Sequence, residues 1–272
     1  MNKNGLFSND SGVSESIGFL LIFSIVIAGI GLVTLYGYPT LLQQQVSADE
    51  KIMEKNMIVL QNDIKSLAYK TVPFKETALK IGSGSLTVYD SMSPNPSAST
   101  STISIYDNLN GYYISSFRPG ELRYESVSGQ TDISLQDGAV VLRPRIQAGS
   151  TMLAEPRWFY DGQTNTMVIN LVNITSEQLM AKEGIGSIRM ALVGEPYYNE
   201  TPFVIGDTRL PISLEYTIDP DQPYSVAWDN YFTQKLNMIQ DITTPGKYEL
   251  PIDDTREGRL VIKKFQVEIL SI

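Results

Sequence analysis

Cysteine and histidine are both absent from the 272 residues of the chain. Without cysteine there are no disulfide bonds, and without either residue there are none of the zinc sites that these two residues form. Catalytic sets that need a histidine base, such as Ser-His-Asp and Cys-His, are excluded as well. We therefore expect a protein that is not an enzyme, that carries no cofactor and no metal ion, and that is stabilised by its own core and sheet hydrogen bonds.

Basic residues are scarce relative to acidic ones, with 21 Lys and Arg against 30 Asp and Glu and a formal net charge of −9. After residue 48 the balance is 20 basic to 28 acidic residues, and no basic run is longer than Lys263-Lys264. Nucleic-acid binding depends on clustered Lys and Arg side chains that contact phosphates. The composition therefore argues against nucleic acid as a partner.

Charge is missing altogether from the 33 residues between Glu15 and Asp49. Residues 17–35 of this run are mostly Ile, Leu, Val, Phe and Gly. Roughly 20 apolar residues are enough for a helix to cross a hydrocarbon core about 30 Å thick. We therefore predict a transmembrane helix over residues 13–38, with residues 17–38 in contact with the lipid bilayer.

Two features indicate on which side of the membrane the rest of the chain lies. Lys3 and the amino terminus precede the helix, whereas the first charges after it are mostly acidic, and positive charge is typical of the cytoplasmic side. Asn173-Ile-Thr175 and Asn199-Glu-Thr201 are candidate N-glycosylation sites, which fits an exterior domain. We expect a single-pass protein of the cell membrane with a cytoplasmic N-terminus and an extracytoplasmic C-terminal domain.

A short polar tail ends at Gly12, directly before Val13-Ser-Glu15-Ser-Ile-Gly-Phe19. This GVSESIGF stretch, followed by the apolar run LLIFSIVIAGIGLV, resembles the N-terminus of archaeal type IV pilin-like proteins, which carry class III signal peptides. The resemblance implies that a peptidase cleaves between Gly12 and Val13 on the cytoplasmic side, so that residues 1–12 are a leader peptide. The helix then anchors the mature subunit or packs in a filament core. An anchor that is never cleaved is the simpler alternative.

Glu15 has two interpretations. In the pilin-like family an acidic residue near the mature N-terminus pairs with the terminal amine of a neighbouring subunit, so the resemblance implies a role in assembly. The alternative is a carboxylate at the start of a helix, where the helix dipole favours negative charge.

A second helix is predicted over residues 39–72, after a proline at position 39 and before one at position 73. Its apolar residues recur mainly at steps of three and four, as on one face of a helix, and are Val46, Met53, Met57, Leu60, Ile64 and Leu67. We expect an amphipathic stalk whose apolar face packs on the protein's own sheet. The alternative is a bundle with the same helices of neighbouring subunits.

From residue 79 onward the pattern becomes strand-like. Strands are predicted at 85–90, 102–107, 112–117, 121–126, 138–143, 158–160, 167–172, 187–193, 203–205, 212–218 and 259–270. Short helices are predicted at 176–182 and 228–240. The number and spacing of the strands predict an α+β fold, in which residues 79–272 form an antiparallel β-sandwich or barrel with a subdivision near residue 195.

A second resemblance concerns the middle of the chain. A strand beginning Gly138-Ala-Val-Val leads through Glu155-Pro-Arg157 into a strand that ends Asn173-Ile-Thr175. This order resembles an uncharacterised archaeal family with a pilin-type N-terminus. The resemblance brings no known activity with it.

Acidic turns and aromatic runs are the remaining candidates for a site. Asp219-Pro-Asp221, Asp253-Asp254 and the turn at 161–165 contain oxygen ligands that calcium accepts, but none fits the EF-hand pattern, and ordinary turns are the favoured interpretation. Three aromatic runs suit either strand packing or a contact with carbohydrate or protein, and packing is the simpler interpretation. These runs are Tyr112-Tyr113, Trp158-Phe-Tyr160 and Tyr197-Tyr198.

Together these features predict a non-enzymatic, membrane-anchored cell-surface protein, a pilin-like structural or adhesive component of the envelope that associates with like subunits. The alternative is a monomeric, membrane-anchored binding module for a carbohydrate or protein ligand that does not assemble into filaments. The N-terminus of the native protein distinguishes the two. A chain that begins at Val13 indicates the pilin pathway, and an intact Met1 indicates a plain anchor.

We predict that a variant without residues 17–38 loses its association with membranes, because no other run of the sequence is long and apolar enough to hold it in a bilayer. Cell fractionation followed by immunoblotting measures this, with the full-length chain as the control. A deleted chain that still sediments with the membranes would contradict the predicted layout.

Overall fold

The computed structural model describes residues 10–70, 72–92, 101–109, 111–127, 130–217 and 224–272, with residues 10–15 described by their backbone alone. The chain divides into an N-terminal unit that ends at Ala48 and a second unit that runs from Asp49 to Ile272.

The N-terminal unit is helical. Helix α1 spans Asp10–Leu32, a π-helical turn of five residues follows at Val33–Gly37, and helix α2 spans Tyr38–Lys70 and continues into the second unit. No side chain between residues 16 and 48 is buried. In the described part of the chain, Ser16–Lys70 is the one helical segment that is long and apolar enough to cross a membrane. The predicted apolar helix is therefore present, and its length and composition are consistent with a single-pass membrane protein.

Two hydroxyl side chains in the apolar run are satisfied within the helix. The Ser24 hydroxyl donates to the Leu20 carbonyl at 2.7 Å, and the Thr34 hydroxyl donates to the Ile30 carbonyl at 2.8 Å. Hydrocarbon offers no hydrogen-bond partners, so polar groups in a bilayer must find them within the protein. The helix meets that requirement at both positions.

The proline at position 39 neither ends nor interrupts the helical path. Proline has no N–H to donate and its ring crowds the preceding turn, so an α-helix with proline in its interior is strained. Here the turn before it is widened, and the Tyr38 N–H donates to the Val33 carbonyl, five residues earlier. A π-helical turn of this kind accommodates an irregular residue within a continuous helix.

Fourteen strands in two sheets follow α2 in the described residues. They are β1 Phe74–Tyr89, β2 Thr102–Tyr106, β3 Tyr112–Phe117, β4 Glu121–Ser126, β5 Thr131–Gln136, β6 Ala139–Pro144, β7 Thr151–Ala154, β8 Phe159–Asp161, β9 Thr166–Thr175, β10 Met180–Phe203, β11 Ser213–Thr217, β12 Ile239–Gln240, β13 Lys247–Glu249 and β14 Gly258–Ser271. The nine-stranded sheet has the order β7-β6-β5-β4-β1-β10-β14-β9-β8, and the five-stranded sheet has the order β12-β13-β11-β2-β3. Described neighbours are antiparallel except β14 and β9, which run parallel.

Helix α2 packs on one face of the nine-stranded sheet. The favoured prediction is that its apolar face packs on the protein's own sheet. Five of its side chains are at most 1% exposed, namely Met53, Met57, Leu60, Ile64 and Leu67. They form one cluster with residues of the sheet that include Leu86, Leu122, Ile133 and Val267. Burial of each such side chain contributes roughly 1.5–3 kcal/mol.

The opposite face of the nine-stranded sheet forms a second cluster with the five-stranded sheet and a short helical segment. This segment consists of helix α3, Ser225–Asn230, and a π-helical turn at Tyr231–Lys235. The cluster includes Ile169 and Ile262 from the large sheet, Leu214 from the small sheet, and Trp228 and Phe232 from the helical segment. The predicted sandwich is therefore present, with α2 as a third layer.

Three details of the predicted secondary structure are wrong or shifted. The helix expected at 176–182 does not form, because residues from Met180 onward belong to β10 and pair with β1, Met180 opposite Val88. The helix expected at 228–240 begins and ends earlier, at residues 225–235. The first strand also starts earlier than residue 79, since Phe74 pairs with Ala191. For β10 and β1 the pairing of distant strands overrides the local pattern.

The turn between β5 and β6 holds a fully buried carboxyl group. Asp137 and Gly138 both have positive φ, 46° and 70°, as a two-residue type I′ hairpin requires. The Val172 N–H donates to Asp137 Oδ1 at 2.7 Å, whereas Oδ2 has no hydrogen-bond partner among the described residues. Burial raises the pKa of Asp137 well above its usual value of 3.8. The ionised form is therefore disfavoured in the folded protein.

We predict that Asp137→Asn stabilises the protein at neutral and alkaline pH. A carboxyl whose pKa is raised by folding stabilises the folded state fully only below its unfolded pKa, and this contribution is lost as the pH rises toward the folded pKa. Asparagine cannot ionise, and it tolerates the positive φ at this position. Thermal unfolding of the full chain in detergent should give a higher Tm for the variant at pH 8 and a smaller difference near pH 4.

The matched control is Asp161→Asn at an exposed turn. Hydrogen bonds from the Thr164 hydroxyl and the Gln163 N–H lower the pKa of Asp161, so its ionised form is favoured by folding and the substitution should lower Tm at pH 8. If Asp137→Asn leaves the shape of the Tm–pH profile unchanged, Asp137 is not the buried ionisable group described above.

Candidate functional site

The residues predicted to act in processing and assembly lie in the first turns of α1. Gly12, Val13 and Glu15 all fall within Asp10–Leu32, where the structure describes the backbone as helical. Their side chains lie outside the described part of the chain. Cleavage between Gly12 and Val13 and the role of Glu15 therefore stay predictions.

The two candidate glycosylation sites differ in accessibility. Asn173 lies within β9 and is half-buried, its Oδ1 has no hydrogen-bond partner among the described residues, and Thr175 of the same site is 8% exposed. Asn199 lies in β10 between two exposed residues and is also half-buried, as is Thr201; it donates its amide to Tyr197 Oη at 3.2 Å and accepts a hydrogen bond from the Thr201 hydroxyl at 2.9 Å. The site at Asn199 is therefore the more accessible of the two in the folded domain.

The acidic turns are held by hydrogen bonds within the protein. Asp161 Oδ1 accepts from the Gln163 N–H at 2.9 Å, and Asp253 Oδ1 accepts from the Thr255 N–H at 2.8 Å. Asn165 joins the two turns, because its amide donates to the Asp253 carbonyl at 2.8 Å. The described residues contain no group of three ligands that could hold a metal ion. Asp219 and Asp221 lie outside the described residues.

The aromatic runs at residues 158–160 and 197–198 have different environments. Trp158 is 4% exposed, donates its Nε1–H to the Asn170 carbonyl at 2.9 Å and stacks on Phe232 with 5.8 Å between ring centroids, so it belongs to the core. Tyr197 and Tyr198 are 41% and 55% exposed. The packing interpretation holds for Trp158, whereas Tyr197 and Tyr198, the exposed tyrosine pair, lie at the surface.

A buried cluster of charges lies on β4, β5 and β6 but does not form a reactive site. Glu121 and Arg123 form an ion pair at 2.6 Å, and Asp132 forms one with Arg143 at 2.6 Å. The Tyr224 hydroxyl donates to Glu121 at 2.9 Å. Because Glu121 and Asp132 each have an arginine partner, the cluster binds neighbouring segments together.

A surface groove contains the exposed tyrosine pair. We call it the tyrosine groove; its volume is about 450 Å³ and its lining is Ala68, Tyr69, Arg157, Pro196, Tyr197, Tyr198, Lys263 and Phe265. Tyr69 comes from the last turn of α2, and the tyrosine pair and Lys263 come from the paired strands β10 and β14. Arg157 belongs to the connection between β7 and β8. Four segments that are distant in sequence thus form the groove.

Aromatic rings and cations are in contact along the groove. The Tyr69 and Phe265 rings meet edge to face with 5.1 Å between their centroids, and the Arg157 guanidinium lies 4.3 Å from the centroid of the Tyr69 ring. Lys263 Nζ lies 5.5 Å from the centroid of the Tyr198 ring. Such cation–π contacts hold a positive charge near a surface without neutralising it.

Burial, nearby positive charge and hydrogen bonds shift the pKa values of side chains in and beside the groove. Burial raises the pKa of Tyr69 to about 12, although Arg157 acts in the opposite direction. Burial, and then the charge of Arg157, lower the pKa of Lys65. The Tyr198 hydroxyl donates to Glu200, and this hydrogen bond is the main cause that raises the pKa of Tyr198. At neutral pH Tyr69 and Tyr198 are therefore neutral hydrogen-bonding groups.

Two other depressions contain charges that are already paired. One of about 200 Å³ contains Lys235, which pairs with Glu155 at 3.1 Å. Another of about 500 Å³ contains Arg259, which pairs with Glu200 at 2.8 Å. In the described part of the chain, Arg157 and Lys263 of the tyrosine groove have no such carboxylate partner. The groove is therefore the strongest candidate for a binding site.

Sequence reasoning identified part of this groove. Tyr197-Tyr198 and Lys263-Lys264 stand out as local runs, but nothing in the sequence joins them. Their opposition becomes evident only from the register of β10 and β14, in which Tyr197 faces Lys264 and Tyr198 faces Lys263. Tyr69 and Arg157 carry no local signal of a surface site.

We predict that a host that glycosylates the folded domain at Asn-x-Thr sites modifies Asn199 rather than Asn173, because Thr175 of the Asn173 site is buried whereas Thr201 of the Asn199 site is not. Peptide mass spectrometry locates the modification. Asn199→Gln should abolish the mass increase and Asn173→Gln should leave it unchanged. Modification of Asn173 alone would contradict the accessibility argument.

Comparison with known proteins gives a family but no activity. Residues 12–268 match the model of a family of unknown function, DUF7289. No curated protein and no solved structure matches the chain. Because the family match covers nearly the whole chain, from the start of α1 to the last strand, the protein belongs to this family of unknown function.

Proposed function

We propose that this chain is a non-enzymatic, membrane-anchored cell-surface protein of the pilin-like type, which serves as a structural or adhesive component of the envelope. The observation that carries the proposal is the helical segment 16–48, in which no side chain is buried and most are large and apolar. Such a surface requires a covering of lipid or of other apolar helices. A pilin-like subunit has both, the membrane before assembly and the filament core after it.

In this proposal residues 1–12 are a leader peptide that is removed on the cytoplasmic side, and Val13 becomes the new N-terminus. Glu15 then lies two residues from the new amine and can pair with the amine of a neighbouring subunit. The helix dipole favours the same carboxylate at the start of a helix. The second unit lies outside the cell, which agrees with Lys3 on the inner side and with the accessible site at Asn199.

The second candidate function is a monomeric, anchored binding module. The tyrosine groove favours it, because a surface depression with exposed aromatic rings and unpaired cations is suited to a ligand. The two candidates share the anchor and the exterior location. They differ in whether the N-terminus is processed and whether subunits assemble.

We predict that the mature protein purified from its native membranes begins at Val13. A peptidase that recognises the GVSESIGF stretch removes residues 1–12 and leaves the apolar helix on the protein. Intact-mass measurement and N-terminal peptide sequencing by mass spectrometry test this. A bulky charged substitution at the cleavage position, Gly12→Arg, should leave the leader attached while the protein stays in the membrane.

Chemical cross-linking in intact cells supplies the readout for assembly. Cross-linked oligomers that depend on Glu15 and disappear in Glu15→Ala, with unchanged membrane content, support the pilin-like proposal. An intact Met1 on the native protein, together with monomers only, would refute it in favour of the anchored binding module.

A further inference from the structure

The tyrosine groove concentrates positive charge in an otherwise acidic unit. Arg157 and Lys263 line it, and Lys65, which lies outside the lining, is close enough to Arg157 for their charges to interact. Lys65 also interacts with the charge of Glu155, whereas in the described part of the chain neither Arg157 nor Lys263 forms an ion pair with a carboxylate. The residues after 48 nevertheless carry 28 acidic against 20 basic side chains. An anionic ligand would neutralise charge that the protein itself leaves uncompensated.

Nearby carboxylates are engaged elsewhere. Glu155 pairs with Lys235 at 3.1 Å, and only its backbone carbonyl accepts from Lys65 Nζ, at 3.3 Å. Glu200 pairs with Arg259 at 2.8 Å and accepts a hydrogen bond from the Tyr198 hydroxyl. The cations of the groove are therefore open to a carboxylate from outside the protein, which Arg binds through two parallel hydrogen bonds.

The aromatic side chains of the groove are suited to a ring-shaped, hydroxyl-bearing ligand. Tyr198 and Tyr197 expose ring surface and hydroxyl groups together, whereas Phe265 is 4% exposed and offers no deep apolar pocket. An exposed aromatic ring packs against the apolar face of a sugar while polar groups around it bind the sugar hydroxyls. The groove volume of about 450 Å³ lies within the range of roughly 300–1,000 Å³ that is typical of small-ligand sites.

The lack of an apolar pocket argues against a peptide as the ligand. An extended peptide binds a sheet by adding a strand to a free edge. β14 is paired by β10 and β9, whereas β10 pairs with β1 only as far as Ala191 and with β14 alone at Tyr197 and Tyr198. The groove offers a peptide no apolar pocket for an anchoring side chain, because Phe265 is 4% exposed.

We propose that the tyrosine groove binds an acidic saccharide, with the sugar carboxylate held by Arg157 and Lys263 and the sugar ring packed on Tyr198. The inference deepens the proposed function, since it rests on the second unit lying outside the cell, where acidic glycans are encountered. It assigns the surface protein a ligand class, uronic-acid-containing glycans. Binding itself is a property of the purified chain and does not depend on where the N-terminus lies.

Isothermal titration calorimetry on the full chain in detergent tests the proposal, with trigalacturonic acid as the probe and its fully methyl-esterified form as the uncharged match. We expect the acid to bind and the ester to bind at least tenfold more weakly. Arg157→Gln and Lys263→Gln should each weaken binding of the acid by roughly tenfold, the effect of losing one hydrogen-bonded charge pair. Tyr198→Ala should abolish binding, whereas Tyr198→Phe should retain most of it because the ring is kept.

Lys182→Gln is the matched control, since Lys182 is an exposed cation of β10 outside the groove. It should leave binding unchanged. Thermal unfolding of each variant shows whether the fold is intact, and only variants with an unchanged Tm are compared. Raising the salt concentration should weaken binding of the acid and spare any binding of the ester.

Three outcomes would overturn the proposal. Equal binding of acid and ester would show that the cations do not distinguish a charged ligand from an uncharged one. Absence of binding at millimolar trigalacturonic acid would show that the groove is not a saccharide site. Equal binding of oligoglutamate, lost in the same variants, would make the groove a contact for acidic protein segments.

A native chain with an intact Met1 that still binds trigalacturonic acid would refute the pilin-like proposal alone.

Discussion

Five side chains of α2 lose nearly all contact with solvent where the helix packs on the nine-stranded sheet, and much of the second unit depends on this contact. A sheet between two other layers must be apolar on both faces, and here the five-stranded sheet covers only one of them. The other face is covered by α2, which is also polar enough on its outer side to remain in water. Without the helix, residues such as Leu122, Ile133 and Val267 would form an exposed apolar surface.

The same contact creates the candidate site. Because α2 ends at Lys70 on the sheet, Tyr69 of its last turn meets Phe265 of β14 and carries the Arg157 guanidinium on its ring. Beside them the register of β10 shifts between Val193 and Tyr197, a bulge that includes Gly194 at φ 72°. A bulge re-aims the side chains that follow it. Helix packing and a local irregularity of one strand thus bring rings and cations to one surface.

The two proposed roles of the chain rest on separate physical features. Anchoring and assembly depend on an apolar helix surface that has no covering within the described protein, whereas ligand binding depends on charges of the second unit that have no carboxylate partner. Neither role requires the cysteine or histidine chemistry that the composition excludes. A surface subunit that also holds an acidic glycan would be adhesive in a direct physical sense, because each subunit would contribute one weak contact to a multivalent attachment.

Hydrophobic periodicity alone was sufficient for the large elements. A long uncharged run predicts the membrane helix, and apolar steps of three and four from Met53 to Leu67 predict the buried face of α2, since both patterns depend on the period of the helix itself. Alternation likewise predicts most strands. The absence of cysteine and histidine excludes whole classes of site.

Tertiary structure determined the features that depend on contacts between segments distant in the sequence. The parallel pairing of β14 with β9, the strand in place of a helix after Met180, and the opposition of Tyr198 and Lys263 follow from strand register. Register is set by the summed packing of two sheet faces and is not encoded in any local window. The tyrosine groove, built from four such segments, therefore became visible only in the folded chain, whereas the long apolar helix was determined by the sequence alone.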